Sequence, residues 1–457
     1  MGRIREQLVD FRPAEQVSRV HRSIFSDQRI FDLEMKHLFE GGWVFLALES
    51  QLPEPNDFLV VRVGRHEILL MRDADHQIGA FYNTCPHRGA QICPVRTGNK
   101  RLHVCPYHSW SFNSSGKNRA VKGRASGAYS PAFEEQNHDL HPIARLDSYK
   151  GLLFGSLSAD VEPLESYLGD TRALLDLCVD QSEDGIEILP GTVTYTYRGN
   201  WKHQLENSTD GYHVTSVHPT YMKIARDRAT EGRDDSGVDG VWDRLNSITE
   251  EKAQESHGGT LGFENGHAIV WLAGPKLPGH PLFERRKELE DRCGPVKSDW
   301  MFYLRNLTIF PNLQIAENFS SILRVMRPIA PDLTEMIAYC VAPKGEGADA
   351  RRLRLRQFED FFNPAGLATP DDLVAYEGCQ IGHHLGGPAG WLQGYERGLT
   401  ALIDGPTDEA RELGIEPLHA VNGDSQIGDE TVFQTHYEAW SERLGPDLDA
   451  LLSGSVG

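Results

Sequence analysis

No run in this 457-residue chain approaches the ~20 consecutive apolar residues that a membrane-spanning helix requires. Clustered basic residues are missing too. Lys and Arg total 46 against 66 Asp and Glu, a net charge of −20, and the acids are scattered rather than blocked. Phosphate backbones require grouped cations, which excludes nucleic acid as a partner. Cysteine is sparse and odd in number, seven in all, as expected in a reducing compartment where thiols hold metal or fill core. The N-terminal MGRIREQL has no signal-peptide core, and Glu6 stands where a myristoylation signal needs Ser or Thr. A soluble, cytoplasmic protein without a membrane partner is expected. Repeats, low-complexity tracts and a GxGxxG nucleotide fingerprint are also lacking. The length allows two or three domains with ample core.

One stretch concentrates the chemistry. Glu206-Asn-Ser-Thr-Asp210-Gly-Tyr-His213-Val-Thr-Ser-Val-His218-Pro places two acids and two histidines within thirteen residues. On a helix, Asp210 and His213 are three apart and share a face, so the carboxylate can accept a hydrogen bond from the imidazole. His213 and His218, five apart, diverge by well over a quarter-turn on a regular helix. Pro219 disfavours the α region at His218 and predicts a turn that swings it back. Two neutral imidazoles with a carboxylate from elsewhere make the 2-His-1-carboxylate face of non-haem Fe(II), which leaves positions open for oxygen. A polar helix end capped by Asp and Asn explains the same residues without metal, so other segments must decide.

Residues 1 to about 40 read as helical, from the apolar rhythm Ile30, Phe31, Leu33, Met35, Leu38 and Phe39 up to Gly41-Gly42. From Trp43 onward short β-like runs take over. DFLVVRV and HEILLMR join across Gly64-Arg65, followed by IGAFYN, SWSFN and GLLFGSL, and together they predict a small all-β domain over 42–158. Within it, Cys85-Pro-His87-Arg-Gly89 and Cys105-Pro-Tyr-His108-Ser-Trp110 each offer one thiol and one imidazole. Structural zinc could take four such ligands, although its usual pairings are Cys with Cys and His with His. One of each per loop suits a [2Fe–2S] cluster in which one iron takes both thiolates and the other both imidazoles, the Rieske arrangement. Proline after each cysteine, together with Gly89, fits loops that turn tightly around sulfide. Cys93 reads as packing.

Residues 159–190 read as a helical connection, and VTYTYRGNWK as the first strand of a second domain, 159–457. The polar, Gly/Asp-rich residues 223–266 read as an access loop over the metal site or as disorder. HAIVWLAG, NLTIFPNLQIAEN, SSILRVMRPIA and TEMIAYCVAP follow as strands, the last two paired across Pro331-Asp332. Thr369-Pro370-Asp371-Asp372 reads locally as an ordinary helix start, with Thr capping and both acids meeting the dipole. Cys178, Cys293, Cys340 and Cys379 read as core, and His257, His267, His383 and His384 as solvated or structural. The last fifty residues read as helical and peripheral.

The two Cys/His loops are followed about a hundred residues later by ENSTDGYH-x4-H. In this the chain resembles the large (α) subunits of Rieske non-haem iron aromatic-ring-hydroxylating oxygenases. FDLEMKHLFEGGWVF, CPHRGAQ and RQFEDFFNPAGLATPDDL extend the resemblance over nearly the whole chain, which is most similar to the benzoate, toluate and anthranilate dioxygenase branch. DFRPAE is especially like the anthranilate-type proteins. Ser109 departs from the pattern, since the family more often has Gly there. The resemblance implies an α+β protein, with a small all-β Rieske [2Fe-2S] domain and a larger helix-grip catalytic domain of antiparallel sheet and helices, on which residues 1–41 pack. It implies Cys85, His87, Cys105 and His108 as cluster ligands, and His213, His218 and Asp372 as ligands of a mononuclear Fe(2+), leaving Asp371 as a cap. Asp210 would be an electron-transfer bridge from His213 to His108 of the partner subunit. Asn207, Met222, Leu304, Asn306 and Leu367 fall at substrate-pocket positions. With Asn306 facing the cavity, strand alternation also turns Leu304 and Thr308 inward and Arg305 away.

The same resemblance implies a terminal oxygenase that uses O2 and NADH-derived electrons to dihydroxylate a benzoate- or anthranilate-like aromatic acid to a cis-diol or catechol. Electrons would come from a separate reductase carrying FAD and [2Fe-2S], with or without ferredoxin. The assembly would be a head-to-tail homotrimer, or α3β3 with a small β subunit. A ring monooxygenase of the salicylate-hydroxylase type shares this machinery. A Rieske electron carrier or a zinc-stabilised binding protein would need only the first domain, and the second ligand set argues against both.

Overall fold

The computed structural model describes residues 7–230, 257–274, 276, 279–318, 320–386, 390–422 and 426–454. The chain divides into two compact units, Phe39–Leu164 and a larger one combining Met1–Leu38 with Glu165–Gly457.

The smaller unit is all-β apart from short helical turns. Asp57–Val63 and His66–Arg72 form a hairpin closed at Val63 and His66, with Ile78–Tyr82 and Thr97–Asn99 on its flanks. Two three-stranded sheets complete the unit. Its core gathers Phe58, Leu69, Met71, Trp110 and Phe112 around Cys85, Cys93 and Cys105, so Cys93 packs as read. Both Cys/His loops are hairpin tips. Thr84 bridges Gln91 across the first, and Val104 pairs with Ser111 across the second.

The larger unit is built on a ten-stranded antiparallel sheet. Its central strands are Gly258–Gly262, Ala268–Leu272, Leu304–Ile309, Leu313–Glu317, Ser321–Ala330 and Leu333–Pro343, in that spatial order. The register puts Thr308 beside Gln314, Gln314 beside Arg324 and Arg324 beside Ala338. This face receives the Trp201–Thr209 helix, where Ser208 Oγ lies 2.8 Å from Thr308 Oγ1 and Gln204 bonds Gln314 at 3.1 Å. Phe358 and Phe362 cover the neighbouring Ala316, Ile322 and Ala338.

Four expectations change. The N-terminal stretch is not one helix, because Val9–Arg12 and Val17–Val20 pair as a hairpin and the helix starts at Gln28. Pro13 begins a 3-10 turn there, and Gln16, with φ of 56°, reverses the chain before the apolar rhythm begins. The last fifty residues are not peripheral. His419–Asn422 is a strand within the sheet, and Val432–Leu452 buries Phe433, Tyr437, Trp440 and Leu444. Of the expected access loop, 231–256 lie outside the described residues, whereas Gly258–Gly262 is a buried strand. Its glycines hid it. A Cβ on Gly259 would stand 2.1 Å from the Val421 carbonyl oxygen, so close strand approach selects glycine over the usual β-formers. Finally, Cys379 is exposed and Cys293 half-buried, rather than core.

Candidate metal centres

The two Cys/His loops share one backbone plan. Cys85 N–H donates to Ala90 O at 2.8 Å and Gly89 N–H to Cys85 O at 2.9 Å; Cys105 N–H donates to Trp110 O at 2.8 Å and Ser109 N–H to Cys105 O at 3.0 Å. The fifth residue of each has positive φ, Gly89 at 71° and Ser109 at 60°. Thus Ser109 occupies a left-handed position that glycine adopts without strain. Cys85 and Cys105 are each 2 % exposed, and the His87 and His108 rings lie 4.5 Å apart. The His87 ring stacks on Trp110 at 4.9 Å. Burial pushes the Cys85 thiol above its ordinary value; the loop amides at His87 and Arg88 pull it back, and the adjoining Cys105 sulfur raises it again. Two buried thiols face to face, with two imidazoles beside them, fit a cluster that takes both sulfurs as thiolates.

The second centre is assembled by breaking a helix. The helix from Trp201 ends at Thr209, and Asp210 adopts extended geometry. Its Oδ1 accepts the Tyr212 and His213 amides at 2.6 and 3.3 Å, while Oδ2 lies 3.1 Å from His213 Nδ1. The shared face expected of a continuous helix is therefore supplied by a turn. His218 sits between two helical segments at φ −106°, ψ 19°, outside the α region that Pro219 disfavours. Asp372 enters from the Thr369–Leu385 helix. Thr369 does not cap it. Ala368 is the cap residue, and the Thr369 hydroxyl donates to Phe362 O at 3.0 Å, which ties the helix start to the preceding segment.

Asp372 Oδ1 lies 3.3 Å from His218 Nε2 and 3.6 Å from His213 Nε2, and one ligand atom from each residue falls within 4.8 Å of the others. That oxygen is buried and receives no hydrogen bond. A sealed carboxylate oxygen facing two imidazole nitrogens is costly until a cation joins them. Two imidazoles and one carboxylate are the donor set that would hold non-haem Fe(II). Burial pulls the His213 imidazole down, and the Asp210 carboxylate at Nδ1 together with the Asp372 charge raises it by more. The tautomer with its proton on Nδ1 leaves the Nε2 lone pair facing inward, where Asn207 Nδ2 also approaches to 3.2 Å.

Two cavities flank this centre. One, of about 380 Å³, is lined by Asn207, Asp210, His213, Asp372, Tyr376 and Glu430 among others. The second lies against the sheet, with Val270, Leu272, Leu304, Asn306 and Asn318 on its wall. Asn318 Nδ2 donates to Asn306 Oδ1 at 3.0 Å. Asn207, Leu304 and Asn306 thus reach these spaces, whereas Met222 and Leu367 line neither. Arg305 also borders the second cavity, but its guanidinium is engaged by Glu317, whereas Thr308 and its row point towards the helix. His267 is structural, accepting the Phe310 amide at 3.0 Å; His383 stacks on Phe25 at 4.6 Å instead of being solvated.

Sequence reasoning placed Glu206 in the metal-binding stretch without giving it a role, and missed Glu430 altogether. Glu206 accepts from the Tyr395 hydroxyl at 2.9 Å and from Tyr437, and burial pushes its carboxyl up to about 7. Burial, with the Asp210 and Glu206 charges, likewise pushes Glu430 up to about 8. Nothing local marks these groups, because both tyrosines arrive from the C-terminal segment.

The comparisons with known proteins agree with this architecture. Residues 42–134 match the Rieske [2Fe-2S] domain, and residues 190–404 match the ring hydroxylating alpha subunit catalytic domain. Toluate 1,2-dioxygenase subunit alpha of Pseudomonas putida is 42 % identical over 442 residues, 96 % of this chain and 94 % of that protein. The 2-halobenzoate 1,2-dioxygenase large subunit of Burkholderia cepacia is 40 % identical, covering 94 % of this chain and 90 % of that one. A solved naphthalene 1,2-dioxygenase has the same fold, with a TM-score of 0.76 at 24 % identity over 96 % of this chain and 95 % of that one. A [2Fe–2S] domain joined to a ring-hydroxylating iron domain defines a class of oxygen-using oxidoreductase. The chain belongs to the α subunits of the Rieske ring-hydroxylating dioxygenase family. Its cofactors are a [2Fe–2S] cluster and non-haem iron, and no helix among the described residues is long and apolar enough to cross a membrane.

Proposed function

We propose that this α subunit adds both atoms of O2 across adjacent ring carbons of a benzoate-class aromatic carboxylate, with electrons derived from NADH. The product is a cis-diol, or a catechol where CO2 and a neighbouring substituent leave. The observation that carries the reading is the second ligand set, with the sealed Asp372 oxygen between two imidazoles. An electron carrier has no use for it. Similarity to the toluate and halobenzoate enzymes supports the carboxylate class.

Cys85, His87, Cys105 and His108 would hold the cluster, and His213, His218 and Asp372 the iron. When bound, these groups supply one-electron transfer and activation of O2. The chain's own residues do the positioning. Asp210 keeps the His213 proton on Nδ1, at 3.1 Å, and by resemblance extends towards His108 of the partner subunit in a head-to-tail trimer. Val270, Leu272 and Leu304 offer an apolar wall for a ring, and the Asn306–Asn318 amide pair fixes the polar edge of that wall. A reductase carrying FAD and [2Fe–2S], with or without ferredoxin, feeds the chain in the cytoplasm, and a small β subunit completes an α3β3 assembly.

A single-turnover experiment tests this. Chemically reduced, iron-loaded protein is mixed with labelled O2 and, separately, benzoate, anthranilate, salicylate and a halobenzoate. Two labelled atoms in a diol or catechol are expected. One labelled atom would replace dioxygenation by hydroxylation, and no product from a fully reduced cluster would overturn the carboxylate substrate class.

A further inference from the structure

Arg324 carries a buried charge that the fold leaves unanswered. The described chain buries three arginines to this degree, and two have their own carboxylate: Arg305 pairs with Glu317, and Arg354 with Glu346 at 2.6 Å. Arg324 is 8 % exposed, makes no ion pair with any described residue, and has a sealed Nε without an acceptor. Its guanidinium carbon lies 5.1 Å above the Phe362 ring. Removing a guanidinium from water without a counter-charge is expensive, so such a group implies a ligand.

Its position names the ligand's place. Arg324 shares the sheet row of Gln314 and Thr308, on the strand face that also carries Leu304 and Asn306. Sheet spacings put its Cα roughly 12 Å from that of Asn306, a gap that an arginine side chain and a benzoate-sized ring together span. Phe362 packs on Phe361 at 4.9 Å, and Phe361 on His218 at 5.8 Å, so two phenylalanine rings link the arginine to an iron ligand. Two further donors wait there. The Tyr195 and Tyr376 hydroxyls are buried without partners, and Tyr376 follows Asp372 by one helical turn. Burial raises both phenols, and both feel the opposed charges of Arg324 and Asp372, so the four groups share one neighbourhood.

We infer that Arg324, with the Tyr195 and Tyr376 hydroxyls, forms the subsite that holds the carboxylate of the aromatic acid. The inference rests on the aromatic-carboxylate reading above. A guanidinium fork matches a carboxylate's two oxygens, and hydroxyl donors complete its lone pairs. Fe(II) with the Asp372 carboxylate leaves a formal charge of about +1, and Arg324 adds another, so an anionic substrate balances the site in a way a hydrocarbon does not.

The test is equilibrium dialysis of the full-length oxygenase, cluster oxidised and air excluded, against benzoate and its neutral isostere nitrobenzene. Arg324→Met removes the charge at similar volume and relieves a desolvation cost, so folding should survive, as the visible cluster spectrum will report. Arg324→Met should weaken benzoate about 10- to 100-fold while leaving nitrobenzene unchanged, with Arg324→Lys between wild type and Met. Tyr376→Phe should weaken benzoate to a smaller degree. Undiminished benzoate binding by Arg324→Met, or equal loss of both ligands, overturns the subsite and leaves the substrate class standing. Failure of the wild-type protein to bind benzoate overturns the substrate class itself.

Discussion

Asp210 Oδ2 and His213 Nδ1 meet at 3.1 Å across the break that ends the Trp201–Thr209 helix. The contact depends on that break, since Asp210 Oδ1 must also accept the Tyr212 amide at 2.6 Å to hold the turn. One carboxylate thus shapes the backbone and sets its charge against the His213 imidazole.

Asp210→Asn keeps the size and loses the charge. Cluster absorbance should persist while kcat falls about 10- to 100-fold, the usual cost of removing an outer partner from a metal-bound histidine. Steady-state rates alongside metal analysis will decide it, and an unchanged kcat would falsify the bridging role.

Gly211 is fixed by contact rather than by φ. A Cβ there would stand 2.0 Å from the Ile427 carbonyl oxygen and 2.7 Å from its carbon, so Gly211→Ala must move the turn that carries His213. Iron occupancy should fall, and stability should drop by about 1–3 kcal/mol. Full iron content in the purified variant would show that the turn tolerates the shift.

The paired loops give a reciprocal prediction. Gly89 has open space for a Cβ but φ of 71°, so Gly89→Ala should destabilise through backbone strain alone, by ~1 kcal/mol. Ser109 already bears that strain at φ 60°, and Ser109→Gly should be neutral to stabilising by up to ~1 kcal/mol. Thermal unfolding of both variants with the cluster in place measures the pair; a stabilised Gly89→Ala or a clearly destabilised Ser109→Gly would contradict the shared geometry.

Glu206 sets a pH dependence. Burial raises its carboxyl from 4.5 to about 7. Between those values the folded state holds a proton that the unfolded state has released, so stability falls as pH rises through this window and stays lower above it. Glu206→Gln, which can still accept from Tyr395 and Tyr437, lacks that loss. From about pH 4.5 to about pH 8 it should gain on wild type by up to ~3 kcal/mol in denaturant titrations. Parallel curves would show that Glu206 titrates normally.

Several features were legible in the chain because they are local. Each Cys/His loop closes within six residues by its own backbone hydrogen bonds, and His218, just before Pro219, leaves the helical region. Other features were local and misleading. The glycines of Gly258–Gly262 looked like a loop because close packing on Val421 replaces side chains there, and the hairpin at Val9–Val20 lacks a long apolar alternation.

The sequence by itself determined which atoms could bind metal, through residue types spaced within single loops, and which strand faces were apolar. It could not single out Asp372 from Asp371 on local grounds, since both suit a helix N-terminus; only the folded chain brings Asp372 to the two imidazoles and leaves its oxygen sealed. Arg324 is the same lesson in reverse. A charge on an inward strand position is visible in the chain, but whether it finds a partner is decided by what other segments bring to it. Burial and unmet hydrogen bonds belong to the assembled structure, where distant segments exclude water together.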